Sequence, residues 1–195
     1  MFKSLSLKIG AMFVLLTISV IILIGTFMTD TTDRYYHDEF KNINSKVFSE
    51  DYVSSLCSNL GMENEAQKNI ETGNKFLAEN RNNKSVYETK SGLQYKIIEQ
   101  GKGNKPKATD KVKFHYRGTL LDGTQFDSSY DRGQPLVGEV NRFIAGWVEG
   151  IQLMSEGSKY MFYIPSSLGY GNFPAGQIPP GSLLIFEVEL IEIVK

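Results

Sequence analysis

The sequence predicts an α+β protein: a curved antiparallel β-sheet wrapped around one short α-helix, preceded by an N-terminal transmembrane helix and a short helical arm. Three observations carry this. Ile9 to Met28 contains no charged residue, and from Tyr35 to about Asn80 apolar residues recur at helical spacing. After Ser85 the apolar period becomes two, interrupted once by a helical segment.

The charge-free run comes first. Its twenty residues would rise about 30 Å as a helix, enough to cross the hydrocarbon core of a bilayer. A cleaved signal has a shorter apolar region and a small-residue cleavage site, and neither is present here. Residues 1–29 therefore read as an uncleaved signal-anchor. Lys3 and Lys8 precede the run and Asp30 and Asp33 follow it, which places the rest of the chain outside the cytoplasm. That position is anchored to the inner membrane and faces the periplasm; the alternative is release into the periplasm after cleavage.

Residues 30–85 read as a helical arm and linker. Tyr36, Phe40, Ile43 and Val47 form one apolar stripe. Ser49 is placed to cap a second helix carrying Val53, Leu56, Cys57 and Leu60, with Gly61 as its stop. A third stretch, after Asn64, carries Ala66, Ile70, Gly73, Phe76 and Leu77. Stripes this narrow must bury against one another, the following domain or a second copy. The arm reads either as a dimerising or client-cradling element or as a stalk. The polar run Asn80 to Ser85 reads as a hinge.

Residues 86–195 alternate. Leu93, Tyr95 and Ile97 share one face; so do Val112, Phe114, Tyr116 and Leu120; so do Tyr160, Phe162 and Ile164; and so do Leu184, Phe186, Val188 and Leu190. Such alternation marks half-buried antiparallel strands. Ser91-Gly92, Gly101-Lys-Gly103, Asp122-Gly123 and Pro179-Pro-Gly181 supply turns between them. Phe143, Ile144, Trp147, Val148 and Ile151 are spaced for a helix that turns Trp147, the only tryptophan, toward the sheet.

Composition excludes several functions. With 195 residues, a net charge of −1 and 41% hydrophobic content, the chain has no basic footprint for nucleic acid. A lone cysteine, Cys57, forms no internal disulfide or thiolate cluster. His37 and His115 show no metal-ligand spacing. His115 alternates with Tyr116 and so faces the surface, and no nucleophile elbow accompanies it.

Several blocks then resemble one family. Val112 to Ser129 (VKFHYRGTLLDGTQFDSS), Asp131-Arg-Gly-Gln-Pro135, Ile144-Ala-Gly-Trp-Val-Glu-Gly150, Ile164 to Gly171 and Ile178 to Leu190 look like the FKBP-type peptidyl-prolyl cis/trans isomerases, in order and without a large gap. Gly73 to Asn80 and Ser91 to Tyr95 resemble the arm-to-domain junction of the Mip-like, periplasmic subgroup, whose N-terminal helices dimerise. The resemblance implies an isomerase of X-Pro bonds in exported polypeptides (EC 5.2.1.8) that requires no cofactor. It also implies a candidate homodimer surface within residues 35–80 and a macrolide ligand of the tacrolimus or rapamycin type.

The resemblance also implies a site. Trp147 would floor a pocket for the proline ring, with Tyr116, Phe126 and Phe186 as walls. Phe143 and Ile144 would line the rim, Ile144 offering its backbone N–H. Tyr170 would donate its hydroxyl to the substrate backbone, and Ile178 would close the loop side. Asp127 would polarise the substrate carbonyl or organise tyrosine hydroxyls; the lesser alternative is a turn-capping carboxylate before Ser128 and Ser129. Leu136 stands where family members often carry phenylalanine, and Phe143 where they often carry valine. The loop Asn172 to Gln177 is about one residue shorter. These departures bear on the preference at the residue before proline and on macrolide affinity. A different class of function, a holdase gripping clients with the arm, is the alternative.

Overall fold

A computed structural model describes residues 50–194, and the chain divides between Leu56 and Cys57 into two units. Among the described residues no helix is long and apolar enough to cross a membrane. Both the run Ile9–Met28 and the stripe from Tyr36 to Val47 lie outside them.

The first described element, helix α1, spans Glu50–Asn80 without a break. The sequence reading stopped a helix at Gly61 and started another after Asn64; the structure corrects both. Glycine costs about 1 kcal/mol in a helix interior, but it keeps its N–H and so leaves the hydrogen-bond ladder intact. Nothing approaches the Gly61 Cα within reach of a side chain, so the position is simply a solvated one.

Strands β1 (Val86–Glu88), β2 (Gln94–Glu99), β3 (Lys111–Thr119), β4 (Gln125–Ser128), β5 (Leu136–Glu139), β6 (Lys159–Ile164) and β7 (Leu184–Val194) form one antiparallel sheet, with helix α2 (Ala145–Leu153) between β5 and β6. The order is β1-β2-β6-β7-β3-β4. The far edge of β3 is shared, its first half pairing with β5 (Lys111 with Glu139) and its second with β4 (Arg117 with Ser128).

The alternation read from the sequence is the alternation of burial. Val112, Phe114 and Tyr116, then Tyr160, Phe162 and Ile164, then Leu184, Phe186, Val188 and Leu190 all face the core. Against them α2 lays Trp147 and Ile151. Helix and sheet meet closely because Gly146 and Gly150 have no side chains: a Cβ there would lie 2.6 Å from Ile164 Cγ2 and 2.7 Å from Phe162 Cε1. Strands β1, β4 and β5, each of three or four residues, are too short to show a period and were absent from the sequence reading.

The C-terminal half of α1 belongs to the same compact unit as the sheet. Its stripe of Ala66, Gly73 and Leu77 is buried, and Phe76 packs on Tyr163 with ring centroids 5.7 Å apart. Gly181, at φ +73, brings its Cα so near the helix that a Cβ would lie 2.3 Å from the Ala66 carbonyl oxygen. Asn69 Nδ2 donates to the Pro180 carbonyl at 2.9 Å. Gln94, fully buried, donates to the Leu77 carbonyl (2.9 Å) and to Glu88 (2.7 Å) and accepts from Asn80 (3.0 Å). Residues 80–85, read as a hinge, instead form hydrogen-bonded turns: Asn83 N donates to Asn80 O and Val86 N to Asn83 O, each at 3.0 Å.

Candidate active site

A cavity of about 620 Å³ opens where the start of α2 meets the β3–β4–β7 face, a size typical of small-ligand pockets. Strand β3 contributes Tyr116, β4 Phe126 and Asp127, β5 Leu136, and β7 Phe186. The segment entering α2 brings Phe143, Ile144 and Trp147, and the loop before β7 brings Tyr170 and Ile178. The structure thus gathers every residue singled out above into one concavity. It adds Arg142, Ala175, Gly176 and Gln177, which sequence reasoning passed over.

Trp147 lies at the bottom, 5% exposed, and four rings meet it edge to face. Their centroids are 4.9 Å (Phe186), 5.0 Å (Tyr116), 5.1 Å (Phe114) and 5.3 Å (Phe143) away. Phe126 stands perpendicular to Phe186 at 5.4 Å. In each pair the positive edge of one ring meets the negative face of the other, which stabilises the cluster. Trp147 Nε1 is the buried side-chain polar atom left without a hydrogen-bond partner among the described residues. An orphaned donor of this kind costs about 1–3 kcal/mol.

The polar side of the cavity is closed on itself. Tyr116 Oη donates to the Asp127 carboxylate, which also forms an ion pair with Arg132. Arg132 Nη2 donates to Tyr116 Oη at 2.7 Å, and its guanidinium lies 5.3 Å from the centre of the Tyr116 ring. Burial disfavours the Asp127 carboxylate, but hydrogen bonds from Tyr116 and Arg132 outweigh it and hold the carboxyl below the usual range. Burial first, and the bond to Asp127 second, push the Tyr116 phenol up. Asp127 is therefore an ionised, fully engaged carboxylate rather than a free base. Arg132 belongs to the Asp131–Pro135 block of the sequence, but only proximity in the fold reveals its partners.

Two donors at the rim remain open. The Ile144 N–H and the Tyr170 hydroxyl make no hydrogen bond among the described residues, and Tyr170 is 43% exposed. The loop beyond Tyr170 is held by the reciprocal backbone bonds of Ala175 and Ile178, each 3.0 Å, around Gly176. His115 lies off the cavity, as its strand face implies. It is half-buried rather than on the open surface, stacked 4.6 Å from the Tyr130 ring with Nδ1 2.9 Å from Ser129 Oγ.

Comparison with known proteins agrees with this architecture. The model of the FKBP-type peptidyl-prolyl cis-trans isomerases matches residues 102–191, and that of the domain amino-terminal to such isomerases matches residues 29–97. The crystal structure of FkpA from Escherichia coli superposes with a TM-score of 0.72 at 30% identity, covering 98% of this chain and 95% of that one. The chain belongs to the FKBP-type peptidyl-prolyl cis-trans isomerase family. FkpA of Aeromonas hydrophila is 52% identical over 131 residues, 67% of this chain and 49% of the relative. The outer membrane protein MIP of Legionella longbeachae is 38% identical over 159 residues, 81% of this chain and 67% of that protein. The chain thus spans about half the length of several curated relatives that it matches.

Proposed function

We propose that this FKBP-family chain accelerates cis/trans isomerisation of X-Pro bonds in polypeptides outside the cytoplasm. The observation that carries the reading is the cavity itself, an apolar bowl of aromatic rings whose one carboxylate is already neutralised by Arg132. An X-Pro bond turns slowly because rotation breaks amide resonance, a barrier of about 18–20 kcal/mol. At the twisted geometry charge separation within the amide falls. A water-poor wall favours that less polar state over the planar amide, which solvent hydrates well.

Each residue then has a part. Trp147 supports the proline ring, and Tyr116, Phe126 and Phe186 exclude water around it. Leu136, Phe143 and Ile178 set the size of the space next to it. The open Ile144 N–H and Tyr170 hydroxyl take up the substrate's backbone carbonyls. Asp127 holds Tyr116 and Arg132 in place at the cavity edge. No proton needs to move.

Ile9–Met28 serves as the anchor in this reading, with the lysines before it retained on the cytoplasmic side. Similarity to the outer membrane protein MIP of Legionella longbeachae supports an extracytoplasmic place. Leu60 and Met62, exposed on α1 at 52% and 37%, offer apolar surface for a homodimer. The holdase alternative is not favoured, because Ala66 and Leu77 of the arm are already buried in the isomerase unit.

The test is an NMR-exchange assay of chromophore-free X-Pro tetrapeptides with the full chain, beside Tyr170→Phe and Phe186→Ala. Acceleration that falls in both variants and is blocked by tacrolimus is expected. Equal rates for the wild type and both variants would reject the site.

A further inference from the structure

Two charged side chains face the cavity, Asp127 and Arg142, and they are not equivalent. The charge of Asp127 is matched by Arg132 and by the Tyr116 hydroxyl. Arg142 has only Glu139, met through Nε at 3.4 Å, with side chains 79% and 52% exposed. Charge-assisted bonds of good geometry are about 2.7–2.9 Å long, so this pair is loose. Both Nη groups of Arg142 are without a protein acceptor among the described residues.

The backbone beneath this guanidinium is fixed. Arg142 ends a 3-10 turn whose Val140 N–H donates to Asp110 O and whose Asn141 N–H donates to Ala108 O, each at 3.0 Å. Phe143 and Ile144 follow directly and form the rim, so the charge is carried at the mouth itself. Helix α2 starts just beyond, with no acidic residue in its first turn and no side-chain cap. Its backbone dipoles therefore add to the same sign.

We infer that Arg142 makes this site favour clients with an acidic residue next to the proline. The inference rests on the isomerase reading above and refines it by naming a substrate class. The recognition is electrostatic and solvent-exposed, so it is modest and screened by salt. Glu139 competes for the same guanidinium and so acts as a brake on the preference.

The test compares tetrapeptides with Glu, Gln or Lys placed before or after the proline, using the full chain and NMR exchange. At about 20 mM salt, the Glu-to-Lys ratio of kcat/KM at one of the two positions should be about two- to five-fold, the range of exposed ion pairs. The ratio should approach one at about 0.5 M salt, where screening acts within about 4 Å. Arg142→Gln should bring it most of the way to one, leaving only the smaller share of the helix dipole, and Glu139→Gln should raise it. A ratio of one at both positions, or one that Arg142→Gln leaves unchanged, overturns the inference. Slow turnover of every peptide would instead count against the isomerase reading. Quenching of Trp147 fluorescence by the same peptides then supplies the Glu-to-Lys comparison without catalysis.

Discussion

Replacing Trp147 by phenylalanine should separate stability from activity. Truncating a buried tryptophan to alanine costs about 3–5 kcal/mol, and phenylalanine keeps roughly half of that packing, leaving a loss of about 1.5–2.5 kcal/mol. The same change deletes an indole N–H that has no acceptor in the described structure. Its removal returns about 1–3 kcal/mol. The two effects nearly cancel, so unfolding free energy should move by no more than about 1.5 kcal/mol in either direction. The bowl, however, deepens beneath the proline ring. Losing contact equal to one or two methylenes, at about 0.8 kcal/mol each, predicts a fall in kcat/KM of about four- to fifteen-fold. Urea unfolding followed by far-UV circular dichroism gives the first quantity, and NMR exchange gives the second. A stability loss above about 3 kcal/mol would mean that the indole is satisfied in solution. An unchanged kcat/KM would mean that the floor does not touch substrate.

The polar junction between α1 and the sheet should be similarly sensitive: Gln94→Ala removes three hydrogen bonds from a fully buried site and should cost about 2–4 kcal/mol in urea unfolding. A change below about 0.5 kcal/mol would show that the docking of α1 contributes little. The pH profile of kcat/KM should be flat from about pH 5 to 9, because no group that titrates there takes part. Asp127 has a depressed pKa, so its contribution is present above the ordinary carboxylate value near 4 and is lost as pH falls through its lower folded value. Tyr116 has a raised pKa, so its neutral hydroxyl persists through pH 10 and is lost only above that. An inflection between pH 6 and 8 would point to proton transfer and reject the mechanism.

Sequence and structure agree where a long apolar pattern was available. Nine-residue β3 and eleven-residue β7 show their inward faces directly, because a strand alternates sides regardless of what packs on it. The helical spacing from Phe143 to Ile151 likewise locates α2 to within a residue or two. The stripe of Ala66, Gly73 and Leu77 is legible as a face, but its partner is not. That partner is residues 180–183 on the approach to β7, more than a hundred positions along the chain.

By itself the sequence determined the four longer strands, β2, β3, β6 and β7, the helix α2, the aromatic residue types and, through a resemblance spread over several blocks, the family. Tertiary structure alone decided that α1 runs through Gly61 and docks on the sheet unit. It also decided that Arg132 silences Asp127 and that Arg142 stands at the mouth with a loose partner. The physical reason is range. Strand and helix periods follow from covalent geometry a few residues long, whereas the state of a charge depends on whatever the fold brings within about 4 Å of it.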